Sequence, residues 1–346
     1  MTERVGDFSQ IAGAKRYELT CGKSKGVEAV DIRTGGGLNY TVLADRALDI
    51  GWAEYKGIPL VFMAQAGIVS PQYYHPDGNE WLRSFSGGLL TTCGLSNVGE
   101  ASELNGVKYG QHGRISNLPG ENISIEEEFD GMNYLISVKG KVRQVKSFVE
   151  NMILQRTIKS FAGQNSILIN DVVENRTTGK QPFMLLYHFN FGFPLLNENS
   201  RIIIPNKDKV SFEDPALFRL INSDSSKEDQ EVMPEDPFLF QASPDKKGDA
   251  YFLLANDRDD PELAILLKYS HTALKNLILW KYLYSGNYVL CIEPANCHIK
   301  GIDKEYKNGT LEYLEPFEKR EINIEIKVLG TREEILKYQN FLEKLD

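Results

Sequence analysis

The stretch FVENMILQRTIKSFAGQNSILINDVVENRTTGKQPFMLLYHFNFGF, residues 148–193, decides the fold class. Three long runs rich in apolar, β-branched and aromatic residues are separated by the short polar segments AGQN (162–165) and RTTGKQ (176–181). Runs of this kind, bounded by turns that contain Gly, are typical of β-strands. We therefore expect a meander of three long antiparallel strands joined by short hairpin loops.

The same pattern continues on both sides of this stretch. Residues 26–63 predict three strands, with GGG at 35–37 between the first two and Tyr55-Lys56-Gly57 turning the second into the third. The polar, acidic segment 213–238 is expected on the surface. Strand-like runs then resume as YFLLAND, LAILLKY, NLILWKYL, NYVLCIEP and KREINIEIKVL.

The end of the chain has a different pattern. In TREEILKYQNFLEKLD, apolar residues recur at helical intervals, and Thr331 precedes Glu334 by three residues, as in a capping box. No linker, repeat or low-complexity tract interrupts the chain. The sequence therefore predicts an all-β protein, residues 1–346, that forms one large antiparallel domain with a short C-terminal helix.

Charge and hydropathy limit the classes of partner. The 346 residues are 42% hydrophobic and carry a formal net charge of −9, which disfavours binding to nucleic acid and to anionic membranes. The N-terminus lacks a signal-peptide pattern, and there is no run of about 18 apolar residues. We expect a cytoplasmic protein that binds a neutral or mildly polar small molecule. The sequence does not set the oligomeric state.

The spacing of reactive residues disfavours several chemistries. The four cysteines show no CxxC spacing, so free thiols are expected, and the five histidines show no HxH or HExxH spacing. Gly87-Gly88 lacks the strand and helix context of a dinucleotide loop, and there is no GxSxG elbow. An acid/base pair that works without metal or cofactor is the remaining hypothesis.

The first member of such a pair is His188. In a strand over 185–192, alternation places His188 and Asn190 on one face and Tyr187 and Phe189 on the other. A histidine hydrogen-bonded inside a polar core is the alternative interpretation. The neighbouring Asn and Gly residues favour a polar pocket floor.

The second member is Glu293, in NYVLCIEP (287–294). Alternation places Glu293 on the same face as Cys291, and Pro294 is expected to end the strand because it has no N–H to donate. The carboxylate would then lie at a strand end, where pockets form. The alternative is a surface carboxylate beside a turn.

Further candidates come from three segments rich in glycine. YGQHGRISNLP (109–119) offers His112 and Arg114 as hydrogen-bond donors for hydroxyl groups, although an isolated HG pair is a weak signal. LADRALDIG (43–51) contributes Arg46, and WLRSFSGG (81–88) contributes Arg83. Either arginine could instead be a structural ion-pair partner.

Taken in chain order, these motifs resemble the galactose mutarotase (aldose 1-epimerase) family, and more closely its DUF4432 branch. The similarity spans about residues 40–330 and is carried by DRALDI, WLRSFSGGLLTTCGL, GQHGR, YHFNFG, WKYLYSGNYVLCIEPANC and LEPFEKREINIEIKVL. The resemblance implies a large antiparallel β-supersandwich that binds sugars on one sheet.

The resemblance also implies roles for particular residues. His188 matches the general acid at the ring oxygen, Glu293 matches the general base at the anomeric hydroxyl, and His112 matches a histidine that helps to hold the ring oxygen. The arginine-bearing segment of the galactose-type enzymes is replaced by WLRSFSGG, so Arg83 is only an approximate counterpart. Asn190 shares the face of His188 and is expected to contact the substrate.

The resulting hypothesis is a cofactor-independent sugar mutarotase that interconverts α and β anomers by ring opening. His188 and Glu293 are expected on facing walls of one hollow, a sugar ring's width apart. A carbohydrate-binding or sensing protein without turnover is the second interpretation. A related epimerase or lyase on the same scaffold is the third, although this acidic chain does not gather the basic residues that a uronate lyase needs.

Overall fold

The computed structural model describes residues 4–205, 211–212, 218, 237–259 and 262–345. The acidic segment expected on the surface, 213–238, lies outside these residues except for positions 218, 237 and 238. Phe218 is buried.

Two large antiparallel sheets contain most of the strand residues of the described chain. The first has the order β1-β2-β3-β4-β6-β14-β21-β20-β17, with β5 paired to β4. Its strands are β1 (Gly13–Glu18), β2 (Glu28–Arg33), β3 (Leu38–Leu43), β4 (Asp49–Tyr55), β5 (Ile58–Pro59), β6 (Leu90–Leu95), β14 (Met184–Gly192), β17 (Phe238–Phe240), β20 (Asn276–Tyr284) and β21 (Asn287–Ala295).

The second sheet has the order β16-β15-β18-β19-β23-β12-β11-β10-β9. Its strands are β9 (Gly120–Asp130), β10 (Asn133–Lys146), β11 (Glu150–Phe161), β12 (Ser166–Asn175), β15 (Arg201–Ile203), β16 (Ser211–Phe212), β18 (Asp249–Asn256), β19 (Leu263–Ser270) and β23 (Lys319–Leu329). Two small sheets pair β7 (Ser102–Leu104) with β8 (Val107–Tyr109) and β13 (Gln181–Pro182) with β22 (Tyr313–Leu314).

The main apolar core lies between the two large sheets. Leu185 and Phe189 of β14 belong to the same buried cluster as Leu154 of β11 and Ile169 of β12. The alternation expected for residues 185–192 is therefore confirmed, because the odd-numbered apolar residues face this core. The even-numbered face of β14, which carries His188, points away from it.

The prediction of a three-stranded meander over 148–193 is wrong for its third strand. β11 and β12 pair as a hairpin, but β12 takes β23 as its other neighbour, while β14 pairs with β6 and β21 in the first sheet. All nine residues of β14 are buried. A strand covered on both faces carries no local signal of the sheet that it joins.

Capping residues mark the start of one α-helix and the end of the other. α2 (Arg332–Leu342) begins after Thr331, whose hydroxyl accepts from the backbone N–H of Glu334, so the predicted C-terminal helix is confirmed. A second helix, α1 (Ile302–Asn308), was not predicted; Gly309 ends it in the left-handed conformation. Neither helix is long and apolar enough to cross a membrane.

A buried charged network joins the two sheets beneath β14. The Arg156 guanidinium of β11 lies 2.6 Å from an Asp171 oxygen of β12 and 2.8 Å from an Asp49 oxygen of β4. Tyr187 of β14 donates to Asp171 at 2.6 Å, and Thr92 of β6 donates to Asp49 at 2.6 Å. Five strands are thereby tied together through side chains that solvent does not reach.

Candidate active site

His188 and Glu293 lie on neighbouring strands of the first sheet. Leu186 pairs with Ala295 and Phe189 pairs with Ile292, and this register places His188 directly opposite Glu293. Residues opposite each other in an antiparallel pair point to the same face. β21 continues to Ala295, so the expectation that Pro294 ends the strand is wrong.

The two side chains contact each other. Nε2 of His188 lies 3.2 Å from Oε1 of Glu293, and the residues are only 5% and 3% exposed. The expected arrangement on facing walls, a ring's width apart, is therefore corrected, because adjacent strands are only about 4.8 Å apart. The alternative of a surface carboxylate is also wrong, because Glu293 is buried.

Burial sets the protonation of the pair. It raises the pKa of Glu293 to about 8 and lowers the pKa of His188 to about 4, because an apolar environment disfavours the charged form of each group. Between these values the contact holds one exchangeable proton and is neutral overall. One partner can then donate a proton while the other accepts one.

Aromatic rings enclose the imidazole of His188. The ring of Phe85 lies 5.4 Å from it, centroid to centroid, the ring of His112 lies 5.7 Å away and that of Trp81 6.5 Å away. Trp81 and Phe85 stack on each other at 4.8 Å. We name Trp81, Phe85 and His112 the aromatic cap. The sequence pattern indicated Arg83 in this segment and gave no sign of a role for the two aromatic residues near it.

The position of His112 is fixed by its backbone. Its φ is 54°, and the adjacent Gly113 has a φ of 71°, where an added Cβ would lie 2.2 Å from the carbonyl oxygen of Gly94. The backbone N–H of Gly99 donates to Nδ1 of His112 at 3.4 Å. Burial, with a further contribution from His188, lowers the pKa of His112 to about 3. The neutral ring therefore carries its proton on Nε2.

The two arginines from the segments before β6 do not contact the pair. Arg83 is exposed and forms an ion pair with Glu80 at 2.6 Å. Arg46 is buried and donates to the backbone carbonyls of Val69 and Ser84 at 2.8 and 2.9 Å. These bonds give Arg46 a structural role in holding two loops, whereas its expected contact with a sugar stays a prediction.

The last two expected binding residues differ in their surroundings. Asn190 is fully buried beside the pair, where its amide donates to the carbonyls of Gly88 and His188 at 3.0 Å each. Arg114 is exposed and lines a separate surface cavity with Glu121. The structure thus places Asn190 and His112 near His188, and it places Arg46, Arg83 and Arg114 in other contacts.

Cys291 adds a third reactive group beside the pair. His188, Cys291 and Glu293 each offer one ligand atom, and these atoms lie within 4.8 Å of one another. Nitrogen, sulfur and oxygen are donors that zinc accepts. Burial, reinforced by Glu293, raises the pKa of Cys291 well above its usual value, and its thiol faces the Asn190 oxygen at 3.5 Å. A metal would have to displace that proton. All four cysteines are free thiols.

The structure is similar to those of galactose mutarotase-like proteins. A candidate aldose 1-epimerase from Klebsiella pneumoniae has a TM-score of 0.83 at 20% identity, over 99% of this chain and 90% of that chain. The galactose 1-epimerase of Lactobacillus acidophilus has a TM-score of 0.58 at 14% identity, over 93% and 100%. A galactose mutarotase-like protein from Clostridium acetobutylicum gives the same values. The protein therefore has the galactose mutarotase-like fold.

Within that fold class, the chain belongs to the family described as Domain of unknown function (DUF4432), whose family model matches residues 24–328. The resemblance and the fold class inferred from the sequence are both confirmed. No curated protein gives a significant sequence match.

Proposed function

We propose that this protein is a cofactor-independent sugar mutarotase in which His188 and Glu293 share the acid/base work. The observation that carries the proposal is the 3.2 Å contact between Nε2 of His188 and Oε1 of Glu293 inside a buried, aromatic-lined site. Opening a sugar hemiacetal requires one proton to leave the anomeric hydroxyl and one to reach the ring oxygen. A neutral pair that holds one proton supplies both groups.

The proton moves within the pair during turnover. In the resting pair, burial favours the protonated carboxyl of Glu293 and the neutral imidazole of His188. Transfer of that proton across the contact gives a carboxylate that removes the proton of the anomeric hydroxyl and an imidazolium that protonates the ring oxygen. The open-chain aldehyde rotates about C1–C2 and closes on the other face, with each group reversing its role.

Two further features support a sugar as the ligand. Nδ1 of His188 is buried and has no hydrogen-bond partner among the described residues, and such an atom commonly awaits a ligand or water. Trp280 of β20 lies opposite Cys291 in the ladder and stacks with Tyr282 at 5.9 Å. Partly exposed aromatic faces beside polar groups suit the apolar face and the hydroxyl rim of a pyranose.

His112 has a separate role in this proposal. The imidazole of His112 stays neutral at physiological pH, so its Nε2–H can donate a hydrogen bond to the ring oxygen of the sugar. It does not compete for the proton shared by His188 and Glu293. Arg46, Arg83 and Arg114 have no assigned step. A cytoplasmic location remains a prediction from the sequence.

A carbohydrate-binding protein without turnover is the second candidate, and the low exposure of the pair favours it. Saturation-transfer NMR between anomeric protons separates the two candidates across a panel of free hexoses, pentoses and disaccharides. Faster exchange with the wild-type protein than in buffer supports the mutarotase. Binding of a sugar by calorimetry with exchange no faster than in buffer supports the second candidate.

A further inference from the structure

A large cavity lies on the first sheet, apart from the acid/base pair. It measures about 970 Å³ and is formed over β1 to β5, with Trp52, Asp31, Arg33, Asn39 and Glu54 in its lining. Its volume is at the upper end of the range of ligand cavities, roughly 300–1,000 Å³. It exceeds the space that a single sugar ring fills. We name it the Trp52 cleft.

Trp52 gives the cleft an exposed aromatic face. Its side chain is 41% exposed, although Trp is on average a well-buried residue. A register shift in the pairing of β3 with β4 lies beside it, after which Ala53 and Tyr55 face the core and Trp52 and Glu54 face outward. The backbone therefore presents the indole ring to the cleft.

Hydrogen bonds between side chains hold the polar lining of the cleft in place. Asn39 donates to Glu54 at 3.0 Å, Thr41 donates to Asp31 at 2.6 Å, and Tyr17 also donates to Asp31 at 2.9 Å. Groups fixed before a ligand arrives lose little conformational freedom on binding. Carboxylate and amide oxygens held beside an indole ring can accept hydrogen bonds from hydroxyl groups while the ring contacts C–H groups.

The charges in the lining balance. Lys15 and Arg33 are opposed by Asp31 and Glu54, so the cleft has no excess of either sign with which to select an ionic ligand. The volume and the balanced charge of the Trp52 cleft therefore fit a neutral, polyhydroxylated molecule with more than one ring.

The Trp52 cleft and the side chains of the acid/base pair lie on the same face of the same sheet. Trp52 lies on β4 and His188 on β14, with only β6 between them, and both side chains point away from the core. Two strand spacings separate these strands laterally by about 10 Å.

We propose that the Trp52 cleft is a carbohydrate-binding site that takes a neutral oligosaccharide by stacking on Trp52. The proposal does not depend on turnover at the acid/base pair, because none of the lining residues used above belongs to that pair.

The test is a binding measurement with the whole chain of 346 residues. Neutral gluco-, galacto- and manno-configured tetrasaccharides, with one sulfated tetrasaccharide, are titrated by calorimetry and by saturation-transfer difference NMR. We expect one or more neutral tetrasaccharides to bind the wild type, the Glu293→Gln variant and the Trp52→Phe variant. Trp52→Ala should weaken that binding by about tenfold or more, as loss of a central aromatic contact does.

Phe341→Ala is the matched control, because Phe341 is 39% exposed on α2 and lies outside the cleft. Asn39→Ala is a second probe of the cleft if Trp52→Ala unfolds. Failure of every neutral tetrasaccharide to bind would overturn the proposal. Wild-type affinity in Trp52→Ala and Asn39→Ala, or binding of the sulfated sugar alone, would also overturn it. Loss of binding in Glu293→Gln but not in Trp52→Ala would do so as well.

Discussion

Tyr187 and His188 are neighbours in the chain, and their side chains act on opposite faces of β14. The hydroxyl of Tyr187 donates to Asp171 at 2.6 Å in the core, whereas His188 contacts Glu293 at 3.2 Å on the other face. The buried charged network therefore holds the backbone segment that presents the imidazole.

The network predicts a large effect on stability. Arg156→Met leaves the carboxylates of Asp49 and Asp171 buried without their cation, so the free energy of unfolding should fall by about 3–5 kcal/mol. Urea denaturation followed by tryptophan fluorescence measures the change. Arg332→Met is the control, because its exposed ion pair with Glu262 contributes only about 0–1 kcal/mol. A loss for Arg156→Met as small as that of the control would contradict the assignment.

The shared proton predicts a bell-shaped pH profile for kcat/KM of anomer exchange. Below the pKa of His188, about 4, both groups are protonated and no acceptor remains. Above the pKa of Glu293, about 8, both protons have left and no donor remains. Polarimetry, with the buffer-catalysed rate subtracted, should show one limb near each value. A rate that rises without limit through pH 8 would show that the proton of Glu293 is not needed.

The aromatic cap should control the acidic limb. Phe85→Ala opens a path for water to the imidazole of His188, so its pKa should rise from about 4 toward the ordinary 6.5, and the acidic limb should move to higher pH. Leu82→Ala is the matched control, since Leu82 is exposed on the neighbouring turn. If the acidic limb lies at the wild-type pH in both variants, desolvation by the aromatic cap is not the cause of the lowered pKa of His188.

Metal removal should leave exchange unchanged. In the proposed mechanism the pair donates one proton and accepts the other without a metal, so dialysis against a chelator is expected to alter neither kcat nor KM. Added zinc should inhibit by binding His188, Cys291 and Glu293, and Cys291→Ser should weaken that inhibition. Metal analysis of the purified protein accompanies the assay. Activity lost to the chelator and restored by zinc would refute a metal-independent reaction.

Local patterns predicted much of the fold. Alternation along 185–192 gave the correct faces of His188 and Tyr187, and the spacing of Thr331 and Glu334 gave the C-terminal helix. Each of these signals depends only on residues that lie within a few positions of one another in the chain. The sheet joined by β14 depends on partners that lie 89 (Met184 and Leu95) to 109 (Leu186 and Ala295) residues away, and no local pattern encodes it.

The residue types of the candidate site could be chosen from the sequence, but the distances between these residues could not. His188 and Glu293 could be named from their motifs, yet their contact depends on the register between β14 and β21. Arg46 shows the opposite case: its motif left a ligand contact and a structural role equally open, and its guanidinium satisfies two carbonyls on loops that only the fold brings together. Trp81 was missed because an aromatic residue in a loop gives no sign of what it covers.

Saturation transfer between anomers in His188→Ala, Glu293→Gln and the double variant tests the central claim most directly, with the sugar that the wild type exchanges fastest. Each single variant should lose about 10²- to 10⁴-fold of the enzymatic rate. The double variant should lose little more than the slower single variant, because the two residues act as one unit. His271→Ala and Glu343→Gln, outside the site, should match the wild type. Wild-type exchange in either single variant of the pair would contradict the account.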